Sequence, residues 1–95
     1  MYLYVENRLH ERISELVGDD AEASFMAACQ VAPEGSVMSS VQRYGDTMLN
    51  EVQLGWFVTE LSRLPEGKKT DVIRQVMTMA QEAASRHGYL YISGD

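Results

Sequence analysis

The side chains best able to do chemistry fall in one stretch, Tyr44-Gly45-Asp46-Thr47-Met48-Leu49-Asn50-Glu51-Val52-Gln53-Leu54-Gly55-Trp56-Phe57. A carboxylate (Asp46), two amides (Asn50 and Gln53) and an indole N–H (Trp56) recur there at spacings of three and four. On a helix such spacings put side chains on neighbouring turns of one side. Gathered donors and acceptors of this kind could read a polar ligand or a partner's backbone. Each group also has a plainer task. Asp46 can serve as a helix N-cap, and the amides can bond the backbone of an adjacent loop or strand end.

Little else in the chain suggests catalysis. His10 and His87 stand in no metal-ligand spacing, so zinc is not expected, and a place at a helix C-terminus is enough to explain His87. Cys29 is the only cysteine, which excludes an intramolecular disulfide and a multi-thiolate site and fits a small buried hydrophobe. The chain has no G-x-S-x-G, P-loop, dinucleotide or kinase signature. Ser39-Ser40 and scattered carboxylates could form a site only through tertiary proximity. The expectation is a protein that is not an enzyme and uses no cofactor.

Charge narrows the partners. The net charge is −6, and residues 1 to 42 hold seven acids against Arg8 and Arg12, or −5 of that total. Phosphate repulsion argues against nucleic acid. A basic protein partner meeting Asp19, Asp20 and Glu22 is compatible with the balance, and so is a solvated acidic face. No apolar run is long enough to span a membrane, and the first residues, Met-Tyr-Leu-Tyr-Val-Glu, lack the basic and apolar regions of a signal peptide. A cytoplasmic setting is expected.

The elements that must position these groups follow from pattern. Ninety-five residues make a single domain. Tyr2-Leu3-Tyr4-Val5 and Tyr89-Leu90-Tyr91-Ile92 each alternate aromatic and aliphatic residues, as strands with two different faces do. The two termini are expected side by side in a small sheet. Its four tyrosines would present several rings on one face, either as a contact surface or as cover for helices with wet hydroxyls. From Asn7 to Val17, Leu9, Ile13, Leu16 and Val17 recur at helical spacing between a capping Asn7 and Gly18. Asp19 or Asp20 could cap a short helix through Phe25, Met26 and Cys29, the reading favoured here, although Phe25, Ala27, Cys29 and Val31 also alternate as in a strand.

A second helix is expected from about Asp46 to Leu64, ended by Pro65-Glu66-Gly67. Gly55 inside it suggests close packing or a bend. On a helical wheel Leu49, Trp56, Phe57, Leu61 and Leu64 share a broad apolar face that extends through Leu54 and Val58, with Asn50 and Gln53 inside the arc and Glu60 at its edge, so the amides should be at least partly buried. A third helix begins at the cap Thr70, carries Val72, Ile73, Val76, Met77, Met79, Ala80, Ala83 and Ala84 on one arc, and stops at Gly88. The fold class is therefore α+β, with three principal helices packed on a small sheet that includes both terminal strands.

The segment Tyr44 to Asn50, with Gln53-Leu54, Glu60-Leu61 and the terminal Tyr89-Leu90-Tyr91-Ile92-Ser93-Gly94-Asp95, resembles a group of small actinobacterial proteins of unassigned function. That group pairs a Y-G-D-T-x-x-N-x-x-Q helix start with a Y-L-x-F-x-G-D end. The resemblance covers about half of the chain and departs at Ile92, where an aromatic residue is commoner. It implies no activity. In size, acidity and lack of catalytic groups the chain is also similar in type to bacterial immunity proteins, without a shared motif. The expected function is a small acidic protein-binding domain, an immunity-type inhibitor of a basic toxin domain. The alternatives are a ligand-binding or regulatory domain with a pocket of Asp46, Asn50, Gln53 and Trp56, and a structural homodimer.

Overall fold

The computed structural model describes residues 1–94; Asp95, the last residue of the Y-L-x-F-x-G-D resemblance, lies outside them. In chain order the elements are β1 (Tyr2–Glu6), β2 (Val17–Gly18), α1 (Ser24–Gln30), β3 (Asp46–Leu49), α2 (Glu51–Ser62), α3 (Asp71–Ser85) and β4 (Tyr89–Ser93), with short 3-10 turns at Met38–Ser40 and Glu66–Lys68. The strands form one antiparallel sheet in the order β2-β1-β4-β3. The terminal strands pair along their whole length, from Tyr2 opposite Ser93 to Glu6 opposite Tyr89. The α+β class, with three helices against a sheet that holds both terminal strands, is as expected.

Alternation divides the sheet into two faces. Leu3, Val5, Leu90, Ile92 and Leu49 point inward and are fully or almost fully buried. Leu54, Phe57 and Leu61 of α2 and the predicted arc of α3 close over them, and Phe25 of α1 meets Phe57 edge-on at 6.2 Å between ring centroids. Thr70 caps α3, its hydroxyl accepting the Ile73 N–H, as its place in the sequence predicts. The other end of α3 departs in detail from expectation. His87, with φ 55°, is the left-handed residue, while the N–H groups of His87 and Gly88 donate to the carbonyls of Ala84 and Ala83. Gly88 is required for another reason: a Cβ there would collide with the Glu6 carbonyl of β1.

The helix expected over Asn7 to Val17 does not form. The chain instead turns at residues 7 to 10 and runs back along β1. The Asn7 side chain accepts the N–H groups of Leu9 and Glu11, His10 takes φ 62°, Ile13 N–H donates to the Val5 carbonyl, and the Ser14 hydroxyl accepts the Val5 N–H. Leu9 is 78% exposed, so the supposed buried stripe faces water. The reason is the outer edge of β1, whose backbone groups lack a partner unless the next segment supplies one. That demand outweighs a helical pattern of only three turns, and Asn7 serves a side-chain turn as readily as a cap.

The central helix starts later than expected. Asp46 to Leu49 pair with β4, with Asp46 opposite Ser93 and Leu49 opposite Leu90, so Asp46 is a strand residue and not the N-cap. The cap is Asn50. Its Oδ1 accepts the Gln53 N–H at 3.0 Å, and Gln53 Oε1 accepts the Asn50 N–H at 2.9 Å, which is a reciprocal capping box. Gln53 is half-buried, as expected, but Asn50 is exposed, which corrects the expectation of its partial burial, and the two amides face each other's backbone. Trp56 is likewise outside, 60% exposed. Gly55 does not mark close packing within the chain, since a Cβ there would meet nothing within 4 Å. Its cost of about 1 kcal/mol relative to Ala has no compensation within the chain.

The connector from residue 19 to 43 holds the short helix favoured over a strand. The N-cap of α1 is Ala23, neither Asp19 nor Asp20, but both carboxylates satisfy its first turn: Asp19 accepts the N–H groups of Phe25 and Met26, and Asp20 accepts the Ser24 N–H and the Ser24 hydroxyl. Farther on, Glu60 reaches from α2 to accept the Val37 and Met38 N–H groups at 2.9 and 2.8 Å, tying the connector down. Cys29 is buried, and desolvation pushes its thiol up to about 12.

Candidate functional site

With the helices on one side of the sheet, alternation sends Tyr2, Tyr4 and Glu6 of β1, Tyr89, Tyr91 and Ser93 of β4, and Asp46 and Met48 of β3 to the other. Register then sets them in rows. Tyr2, Ser93 and Asp46 lie across the strands in one, and Tyr4, Tyr91 and Met48 in the next. Glu6 and Tyr89 form a third. No helix covers this face. Its composition is what the alternation at the two termini predicts, with Met48 and Asp46 added from a segment expected to be helical.

The rings stack on one another. Tyr2 and Tyr4 lie 6.2 Å apart between centroids at 16°, and Tyr4 and Tyr91 lie 4.8 Å apart at 19°. His10 covers Tyr89 at 4.3 Å and contacts the Glu6 carboxylate through Nδ1 at 3.2 Å. Because neighbouring rings occupy each other's π faces, the patch offers ring edges and hydroxyls outward.

Two carboxylates frame the rings. Asp46 accepts the Tyr91 hydroxyl on Oδ2 at 2.6 Å and the Ser93 hydroxyl on Oδ1 at 3.2 Å. That bond to Asp46 is the main reason the Tyr91 phenol is pushed up to about 12, with desolvation next. Tyr4 is also raised, first by burial and then by the Glu6 charge. Glu6 itself is only 8% exposed. Both phenols therefore stay protonated well above neutral pH, and the face carries negative charge only at its Asp46 and Glu6 margins.

Of the residues singled out in the sequence, the structure brings Asp46 into this face and leaves the rest apart. Tyr44 stands exposed with the Arg43 guanidinium 5.7 Å from its ring centroid. Asn50 and Gln53 form the capping box, and Trp56 projects from the solvent side of α2, so these residues and Asp46 surround no common cavity. Asp19 and Asp20 are engaged at the start of α1, and the Ser24 bonds hold the Asp20 carboxyl below its usual range. Only Glu22 of that acidic trio stands fully exposed. Asp19 and Asp20 line a concavity with Gly18, Ala23, Met26 and Arg43, and Glu22 stands at the end of an apolar groove between α1 and the 64–68 turn that Ala28, Val31, Leu64 and Pro65 line.

Met48, Glu6, Ser93 and His10 belong to the face but were not among the expected site residues. Asp46-Thr47-Met48-Leu49 does carry a strand-like alternation, which the turn signal Tyr44-Gly45 and two candidate caps obscure. Among the described residues no cluster of three or more His, Cys, Asp or Glu could hold a metal ion, and no helix is long and apolar enough to cross a membrane. No protein-family model, curated protein or solved structure matches the chain.

Proposed function

We propose that the chain is a small acidic protein-binding domain, an immunity-type inhibitor that holds a basic toxin domain against the open face of its sheet. One observation carries the reading. The uncovered face gathers Tyr2, Tyr4 and Tyr91, whose rings bury much area at little entropic cost, beside the adaptable side chain of Met48, with Asp46 and Glu6 at its margins. The overall charge of −6 steers a basic partner toward the molecule, and the tyrosine hydroxyls and ring edges supply short-range contact. We place the domain in the cytoplasm and assign it no catalytic step. The ligand-pocket alternative would need Asp46, Asn50, Gln53 and Trp56 to line one concavity, whereas Asp46 bonds Tyr91 and Ser93, and Asn50 and Gln53 bond each other's backbone.

The test is co-purification with the basic protein encoded beside this chain, read as a binding isotherm at two salt concentrations. Tyr4→Ala with Tyr91→Ala should weaken binding at least about a hundredfold, as loss of central aromatic contacts does. Added salt should slow association. Retention of full affinity by the folded double variant would remove the sheet face from consideration. Glu22→Lys is the clean test of the acidic connector, since reversing Asp19 or Asp20 would also unravel the start of α1.

A further inference from the structure

We infer that the outer edge of β3 receives an extended, basic segment of the partner as a fifth antiparallel strand. The inference rests on the reading that a basic protein docks on the tyrosine face, and it adds where and in what conformation that protein is gripped. Hydrogen bonding defines the edge. Asp46 stands opposite Ser93, and the Gly94 N–H donates to the Gly45 carbonyl at 2.8 Å. That bond fixes the phase of the ladder: Thr47 and Leu49 exchange bonds with Ile92 and Leu90, while Asp46 and Met48 turn their N–H and C=O groups away from β4. Among the described residues those four groups have no partner. Gln42 N–H comes to β3 as well, but it donates to the Thr47 hydroxyl, at 3.1 Å. Asp46 is exposed and Met48 is 45% exposed, so the edge is open to a second chain.

The opposite side of the sheet is treated differently. There residues 12 to 18 return along β1, through the Glu6–Arg12 bridge, the Ile13 and Ser14 bonds to Val5, and the pairing of Val17 and Gly18 with Leu3 and Tyr2. A whole segment is spent on closing that edge. β3 has no such cover, and its residues Asp46-Thr47-Met48-Leu49 include no lysine, no proline and no bulge, the devices that commonly keep an edge from pairing.

Backbone chemistry and charge identify the occupant. Outward N–H and C=O groups at strand spacing are matched by another extended main chain, and every existing pair in this sheet is antiparallel, the slightly more stable arrangement. The side chains of the added strand follow from register. The residue opposite Met48 extends the row of Tyr4, Tyr91 and Met48 and should be apolar or aromatic. Two positions away, the residue opposite Asp46 extends the row of Tyr2, Ser93 and Asp46 and should be lysine or arginine. Asp46 can accept it, because each carboxylate oxygen holds one hydroxyl bond and keeps a lone pair free. A second copy of the chain brings a charge of −6 to this acid and is repelled. Four main-chain bonds hold weakly alone, so the strand acts together with the contacts over the tyrosine face that it adjoins.

Amide exchange followed by NMR in the full chain, free and with the basic protein encoded beside it, tests this residue by residue. Thr47 and Leu49, bonded to β4, should exchange slowly in both states. Asp46 and Met48 should exchange fast in the free chain and slow by about tenfold or more on binding. This pattern needs no variant. Binding isotherms give a second measurement: Met48→Ala keeps the N–H and should weaken binding about threefold, as loss of one side-chain contact does. Met48→Pro also removes the N–H, at an edge position where proline is tolerated, and should weaken binding about a further tenfold. If Tyr4→Ala with Tyr91→Ala weakens binding while the Asp46 and Met48 amides of the wild-type complex keep their free rates, the fifth strand is overturned and the tyrosine face stands. Failure of the basic protein to bind overturns both. Protection of Asp46 and Met48 that grows with chain concentration alone gives the edge to a second copy and overturns the inference.

Discussion

Replacing Asn50 separates a helix cap from a buried amide. In Asn50→Ala the Gln53 N–H loses its acceptor at 3.0 Å, while Gln53 Oε1 can still accept the residue 50 N–H, now at 2.9 Å. Exchange of an N-cap Asn for Ala costs about 1 kcal/mol. In a domain of this size that lowers Tm by about 4–8 °C. In urea the midpoint should fall by about 0.5–1 M with the slope unchanged, for a slope of about 1–2 kcal/mol/M. Gln53→Ala removes only the reciprocal bond and should cost about half as much. Asn50→Asp keeps the acceptor and adds a charge at the positive helix end, so stability should hold or rise by a few tenths of a kcal/mol at neutral pH. A carboxylate so placed has a folded pKa below its unfolded value of about 3.9. Its contribution is therefore present above about pH 4 and lost as pH falls through the folded value. The cap assignment fails if Asn50→Leu stabilises the fold and Asn50→Asp costs several kcal/mol, which is how an amide facing the apolar interior would behave.

Two glycines should respond in opposite directions to the same change. Gly55→Ala, in open space on a helix, should raise stability by about 0.5–1 kcal/mol, whereas Gly88→Ala, driven against the Glu6 carbonyl, should lose about 2 kcal/mol or more in the same denaturation assay. Tyrosinate absorbance should show Tyr91 titrating near its pushed-up value of about 12, and Asp46→Ala should return it toward the ordinary 10.0. Because the folded value lies above the unfolded one, the Tyr91–Asp46 contribution is fully present below about pH 10 and is lost as pH rises through about 12. Unchanged titration in Asp46→Ala would refute the bond as its cause.

The parts of the fold legible in the sequence are those where local signals agree. Thr70, the apolar arc from Val72 to Ala83 and the stop at Gly88 all specify α3, and the Tyr-aliphatic alternation at both ends specifies β1 and β4 with their outward rings. The residues that misled are those whose local signal serves two structures. Asn7 caps a helix or closes a side-chain turn, and only the open edge of β1 decides between them. Asp46 and Asn50 are both good caps four residues apart. Choosing the earlier one makes a helix of Asp46 to Leu49 and turns a capping box into two apparently buried amides. The wheel then misplaces Trp56, because nothing local reveals that Glu60 is drawn inward by the Val37 and Met38 N–H groups. The candidate site was half legible for the same reason: its tyrosines follow from alternation, while Met48 and Asp46 join them only through pairing with β4, a contact between distant parts of the chain.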